Sequence, residues 1–166
     1  QVEKLACSFP VWVSDVNNLD DALSMIREIG AMTWKTATAS KIIAGIRHAL
    51  TALPSPASLR KAAYLIWKDP YMTVGHDTFI HSMLKVAGFE NVFADKQRYP
   101  AVDVSTLQQS GCEYLLLSSE PYPFKQKHID ELQLRLPGVK IMLVDGEMFS
   151  WYGSRLLYAA EYFRSL

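Results

Sequence analysis

Residues 113–124 read Glu-Tyr-Leu-Leu-Leu-Ser-Ser-Glu-Pro-Tyr-Pro-Phe. Three consecutive leucines leave no polar face, so Tyr114–Leu117 is expected to be a strand covered on both sides, as strands of a parallel sheet are. The connection after this run is far from neutral. Glu120, two prolines and the rings of Tyr122 and Phe124 stand where the chain leaves the sheet.

The flanking segments repeat the pattern. Lys61–Trp67 (KAAYLIW) and Lys140–Val144 (KIMLV) are short apolar runs and are expected to be strands. Helical spacing is found in Asp77–Ala87, where Phe79, Ile80, Met83, Leu84 and Ala87 are apolar, and Gly88 stops that helix. Val104–Gln109, Lys125–Leu136 (closed by Pro137-Gly138) and Ser154–Phe163 are read as helices too. This alternation predicts an α/β fold: a Rossmann-like parallel sheet with right-handed crossovers and helices on both faces.

Open parallel sheets bind ligands beyond the carboxyl ends of their strands. Three segments stand at those ends: Trp67–Met72 (WKDPYM), Ser118–Phe124 (SSEPYPF) and Asp145–Tyr152 (DGEMFSWY). Each joins at least one carboxylate to aromatic rings. Together they are expected to form a concave rim for a large, flat, partly polar ligand. A packing role competes at each position: Trp67 and Tyr122 can lie under neighbouring loops, and Glu120 can cap the helix near Lys125.

The first third is organised differently. Gln1–Cys7 reads as the end of a helix, with Val2, Leu5 and Ala6 on one face, and Phe9–Ser14 (FPVWVS) as a strand. Leu19, Leu23, Ile26 and Ile29 recur at helical spacing, as do Ile42, Ile43, Ile46, Ala49, Leu50 and Leu53 beyond Gly30. That is one helix of roughly 30 residues, a strut between two bodies, or two helices in tandem. Asp15 or Asn18 can cap it, and Pro54–Ser58 is a linker. The chain is read as part of a longer protein, entered midway through a domain. An unpaired edge on Phe9–Ser14 would let a second copy of such a fragment pair with it.

Composition narrows the function classes. The 166 residues are 49% hydrophobic and 20% charged, with 17 basic and 17 acidic side chains. A zero net charge gives no support to a nucleic-acid partner, and no apolar run is long enough to span a membrane. Cys7 and Cys112 match no metal or redox spacing. His76 and His81 raise the alternative of a bare metal ion, but a spacing of five puts them on different helix faces. Ser118, Ser119, Glu120 and His128 raise a second alternative, a small-molecule-processing α/β enzyme; no Gly-x-Ser-x-Gly elbow accompanies them, and His128 is expected on a solvated first turn. The reading is no enzyme, no metal site and no intrinsic cofactor.

Tyr71-Met-Thr-Val-Gly-His-Asp-Thr-Phe-Ile80, Gly88-Phe-Glu-Asn-Val-Phe93, Tyr99-Pro100 and Val144-Asp-Gly-Glu-Met-Phe149 resemble the helical-backbone solute receptors of ABC importers, which take up cobalamin, ferric siderophores, haem and some metals. The resemblance covers nearly the whole chain. It implies a remnant of a first lobe at residues 1–16, a connecting backbone helix at 17–53 and a C-terminal α/β lobe at 54–166. It implies capture of a cobalamin-, ferric siderophore- or haem-like ligand between two lobes, an ABC permease as partner, and a periplasmic or extracellular, lipoprotein-like setting. By position, Met72 contacts ligand, Tyr99 stacks on it and Glu147 hydrogen-bonds it. With the rim residues, the expected ligand-binding set is Trp67, Tyr71, Met72, Tyr99, Glu120, Glu147, Phe149 and Trp151. The family's permease-docking glutamate falls at Ser105, with Asp103 the nearest acid, so docking through that contact departs from the pattern.

Overall fold

The computed structural model describes residues 1–54 and 57–166. A short helix α1 (Val2–Ala6) and an irregular stretch precede α2 (Leu19–Met32) and α3 (Thr36–Thr51). Then come β1 (Arg60–Leu65), β2 (Tyr71–Met72), α4 (Phe79–Val86), β3 (Phe89–Asn91) and β4 (Ala101–Val102). The chain continues through α5 (Val104–Gln109), β5 (Tyr114–Ser118), α6 (Gln126–Gln133) and β6 (Lys140–Val144) to α7 (Gly146–Ser150) and α8 (Leu156–Arg164). The expected linker at 54–58 falls partly outside the described residues.

Four strands form one parallel sheet in the order β3-β1-β5-β6. Alternation of side chains then builds two cores. Ala62, Tyr64, Leu116 and Val144 point to the face covered by α2, α3, α4, α7 and α8. Ala63, Leu65, Leu115, Leu117 and Ile141 point to the face covered by α5 and α6. Burying each such leucine stabilises the fold by about 1.5–3 kcal/mol. The register has a further consequence. Leu65 pairs with Leu117 and Leu117 with Leu143, so β1, β5 and β6 finish in nearly the same row. Their outgoing loops leave from a common edge.

Several expectations are corrected. Phe9–Ser14 is not a strand; Phe9 and Val13 are exposed, and no described strand lies alongside to complete a ladder. β-favouring composition without a partner leaves only extended coil, and the edge expected to pair with a second copy is absent among the described residues. The stretch instead lies along α2, where the Trp12 indole N–H donates to Glu28 at 2.9 Å. Residues 17–53 are the tandem alternative: α2 and α3 are separated by Thr33–Lys35, with Trp34 in the left-handed region at φ 57°. Gly30 permits the fold-back, because a Cβ there would run into Ala39. Asn18 caps α2 by accepting from the Asp21 N–H at 3.0 Å.

The cap of α4 is Thr78, accepting from the His81 N–H at 3.2 Å, so the helix begins after Asp77. Asp77 accepts from the Arg98 backbone N–H, and that bond foremost holds its carboxyl below the usual range. His81 is half-buried against β3, its Nδ1 3.3 Å from Asn91 Nδ2.

Candidate functional site

The three loops at the common edge are bonded to one another. The Tyr122 N–H donates to the Ile66 carbonyl at 3.2 Å, which joins the β5 loop to the β1 loop. The Gly146 N–H donates to Ser119 Oγ at 2.9 Å, which joins it to the β6 loop. Trp67 and Tyr122 meet edge-on with ring centroids 5.7 Å apart, and Tyr122 meets Phe124 at 4.8 Å. Stiff rings packed this way carry contact area at low entropic cost.

The carboxylates are engaged by neighbours. Glu120 Oε1 accepts from the Trp151 indole N–H and from Ser150 Oγ, both at 2.7 Å. Glu147 Oε2 lies 2.7 Å from Arg155 Nη2, which is also 3.8 Å from Asp145 Oδ2. The guanidinium thus neutralises the only acids of the third loop. Arg155 carried no sequence signal, since its partner lies eight residues away across a break between two helices.

Beneath the rim, the Tyr64 hydroxyl donates to Ser118 Oγ at 3.0 Å, and Ser118 donates to the Glu120 carbonyl at 2.6 Å. Burial, foremost, pushes the Tyr64 hydroxyl well above the usual phenol range, so it stays a donor. The Asp145 N–H donates to the Tyr162 hydroxyl at 2.8 Å. Ser118, named in the enzyme alternative, is buried, with its one hydroxyl proton given to the Glu120 carbonyl. His128 reaches elsewhere: its Nδ1 accepts from the Lys125 N–H at 2.9 Å and its Nε2 lies 3.4 Å from the Tyr122 hydroxyl. Among the described residues, no three His, Cys, Asp or Glu side chains stand together as metal ligands.

His128 was expected in solvent and is 4% exposed. The loop folds back over the first turn of α6, and both Tyr122 and Phe124 rings pack on the imidazole. Burial, foremost, lowers its pKa, followed by the charges of Lys68 and Lys127. The folded state therefore holds the neutral ring. Stability from this group is complete above the unfolded value of about 6.5 and declines as pH falls below it, because the unfolded chain then binds the extra proton. Half-buried His81, lowered chiefly by burial, acts in the same direction. Thermal unfolding is expected to shift down on going from about pH 7.5 to about pH 5.5, and His128→Gln should flatten that dependence. An unchanged slope in the variant would remove His128 as a cause.

The expected site residues separate into three sets. Trp67 (41% exposed) and Trp151 (51%) remain open at the rim, with Glu120 and Glu147 half-buried beside them. Tyr71 and Met72 are half-buried in β2, which pairs antiparallel with β4, and Trp67 bridges to Met72. Tyr99 is exposed just ahead of β4, whose preceding Pro100 carbonyl accepts from the Thr73 N–H at 3.0 Å. Phe149 does not belong to the site. It is 0% exposed, packed among Tyr64, Tyr162 and Phe163. The cause is α7: Asp145–Trp151 coils into a helical turn, which sends Phe149 inward while Trp151 emerges at its end.

An opening of about 480 Å³ lies against this loop, lined by Met25, Ser150, Trp151, Tyr152 and Gly153. Met25 also borders an opening lined by Trp12, Asp21 and Glu28, and an apolar one lined by Ile26, Ile29 and Ile42. Met25, from α2, completes the crevice that sequence reasoning assigns to the loops alone, and Tyr152, at the end of the third loop, lines it beside Trp151. Met25 stands outside the Leu19, Leu23, Ile26, Ile29 stripe, and only the placement of α2 beside α7 brings it there.

No protein-family model matches the chain, and no curated protein matches it in sequence. Solved structures do share its fold. A possible iron-binding (periplasmic solute-binding) protein from Staphylococcus epidermidis ATCC 12228 superposes with a TM-score of 0.79 at 19% identity, over 98% of this chain and 67% of that one. The periplasmic heme-binding protein HutB of Vibrio cholerae gives 0.79 at 18% identity, over 98% and 70%. The periplasmic vitamin B12 binding protein BtuF of Vibrio cholerae gives 0.70 at 13% identity, over 98% and 66%. The chain thus has the α/β fold of these proteins and spans about two thirds of their length.

Proposed function

We propose that this chain belongs to a solute-binding protein of an ABC-type importer, working in the periplasm or at the outer cell surface. It captures a cobalamin-, haem- or ferric siderophore-like ligand and hands it, without turnover, to a permease. The observation that carries this reading is the level ending of β1, β5 and β6, which gathers Trp67, Trp151 and Tyr152 at one edge of the sheet. The shared fold with proteins described as binding iron, heme and vitamin B12 supports it. Trp67 and Trp151 offer ring surface; Tyr71, Met72 and Tyr99 extend the wall beyond β1; Glu147, paired with Arg155, presents its second oxygen. Phe149 supports the rim from beneath.

Permease docking would not use Asp103 as a free acid. Its Oδ1 accepts from the Thr106 hydroxyl and N–H and from Ser105 Oγ, and these bonds, led by the Thr106 hydroxyl, hold its pKa down at about 2.

The test is titration of hemin, cyanocobalamin and a ferric hydroxamate against intrinsic tryptophan fluorescence. One ligand class is expected to quench saturably and be recovered unchanged. Trp67→Ala and Trp151→Ala should each weaken that ligand roughly tenfold, in the range for an aromatic contact. No quenching by any of the three would overturn the reading.

A further inference from the structure

Trp151 is the most exposed ring at the crevice mouth, yet its indole N–H is taken by Glu120. Ser150 Oγ, the other group at Glu120 Oε1, has a single proton to divide between that oxygen and the Gly146 carbonyl at 2.8 Å. The indole is therefore the donor wholly committed to Glu120. The backbone that carries this carboxylate is itself braced. Ser118 Oγ holds the Glu120 carbonyl and receives the Glu120 N–H at 3.3 Å, while Tyr64 holds Ser118 from the core. Gly146 gives the Glu120 stem its room: a Cβ at 146 would come to 2.6 Å from Glu120 Cγ.

We infer that Glu120 is a positioning residue, a clasp that fixes the Trp151 indole across the crevice mouth, and that it does not itself touch ligand. This rests on the proposed capture function and adds a preference to it. An indole whose N–H is occupied presents only ring face and C–H edge, and Met25 and Tyr152 beside it add thioether and ring surface. That wall, mostly ring face and thioether with the Tyr152 hydroxyl as its polar group, suits the conjugated macrocycle of a porphyrin or corrin better than the oxygen-rich surface of a hydroxamate chelate. The preferred ligand class is therefore a conjugated tetrapyrrole.

The experiment has two arms. In a form whose only tryptophan is Trp151, with Trp12, Trp34 and Trp67 changed to Phe, acrylamide quenching and fluorescence anisotropy report the indole without any ligand. Glu120→Ala should make Trp151 more quenchable and less anisotropic. Glu120→Asp, which keeps the charge but shortens the reach, should do the same, while Glu120→Gln, which keeps an acceptor oxygen in place, should restore most of the shielding. In the second arm, hemin and cyanocobalamin affinities are measured for Glu120→Ala, Trp151→Ala and the double variant. Glu120→Ala is expected to weaken binding roughly tenfold, as loss of a charge-assisted bond does, with the double variant no weaker than Trp151→Ala. Additive losses, or an indole indifferent to Glu120→Ala and Glu120→Asp, would overturn the clasp. Tighter binding of a ferric hydroxamate than of both tetrapyrroles would overturn the preference. If nothing binds, the proposed function falls, and the first arm still decides the clasp.

Discussion

Replacing Phe149 with alanine is expected to cost about 3–5 kcal/mol, as removal of a fully packed phenylalanine does. Its ring stands 5.1 Å from Tyr64, 4.9 Å from Phe163 and 6.4 Å from Tyr162, centroid to centroid, on the sheet face that carries most of the helices. A cavity there has no easy collapse, because Tyr64 is held by its bond to Ser118 and Tyr162 by the Asp145 N–H. The contrast with its loop neighbours makes the prediction sharp. Trp67→Ala and Trp151→Ala, at exposed positions, should each cost no more than about 1 kcal/mol. Urea unfolding midpoints at constant m-value measure all three. Equal losses would mean that the two tryptophans serve the core, and the rim would lose its aromatic wall.

Gly146→Ala should produce the second large effect, for reasons of space and not of backbone conformation. An added Cβ would meet Ser118 Oγ and Glu120 Cγ and approach the Glu120 nitrogen at 3.2 Å. Ser118 cannot withdraw, being held by Tyr64 on its other side. Glu120 can swing away only by releasing Trp151. Overpacking of this kind costs about 1–3 kcal/mol, and hemin or cobalamin affinity should fall together with stability. Gly138→Ala, with nothing within 4 Å of the added carbon, serves as the control expected to stay within about 0.5 kcal/mol. A thermal midpoint and ligand affinity both unchanged by Gly146→Ala would show that the two loops are free to part.

Legibility tracks element length and burial. The runs AAYL, YLLL and IMLV are too apolar to lie anywhere but inside, and β1, β5 and β6 stand where those runs are. Two-residue strands have no period to detect, so β2 and β4 leave no mark in the sequence pattern. The five-residue α7 hides within a segment that reads as a loop, and the burial of Phe149 hides with it. Phe9–Ser14 has strand composition but no strand beside it among the described residues. At 17–53 the periodicity is right and its continuity is not, because a left-handed Trp34 carries no reliable mark in sequence.

Local chemistry was enough to specify a parallel sheet and to name the three segments beyond its strands, since apolar continuity and the chain order of strands and helices are one-dimensional facts. Which side chains of those segments face outward was not. That depended on the strand register, on the turn of α7 and on the approach of α2, all set by packing between residues far apart in the chain. Phe149 and Trp151 are two positions apart in one loop; only the fold made one of them core and the other wall.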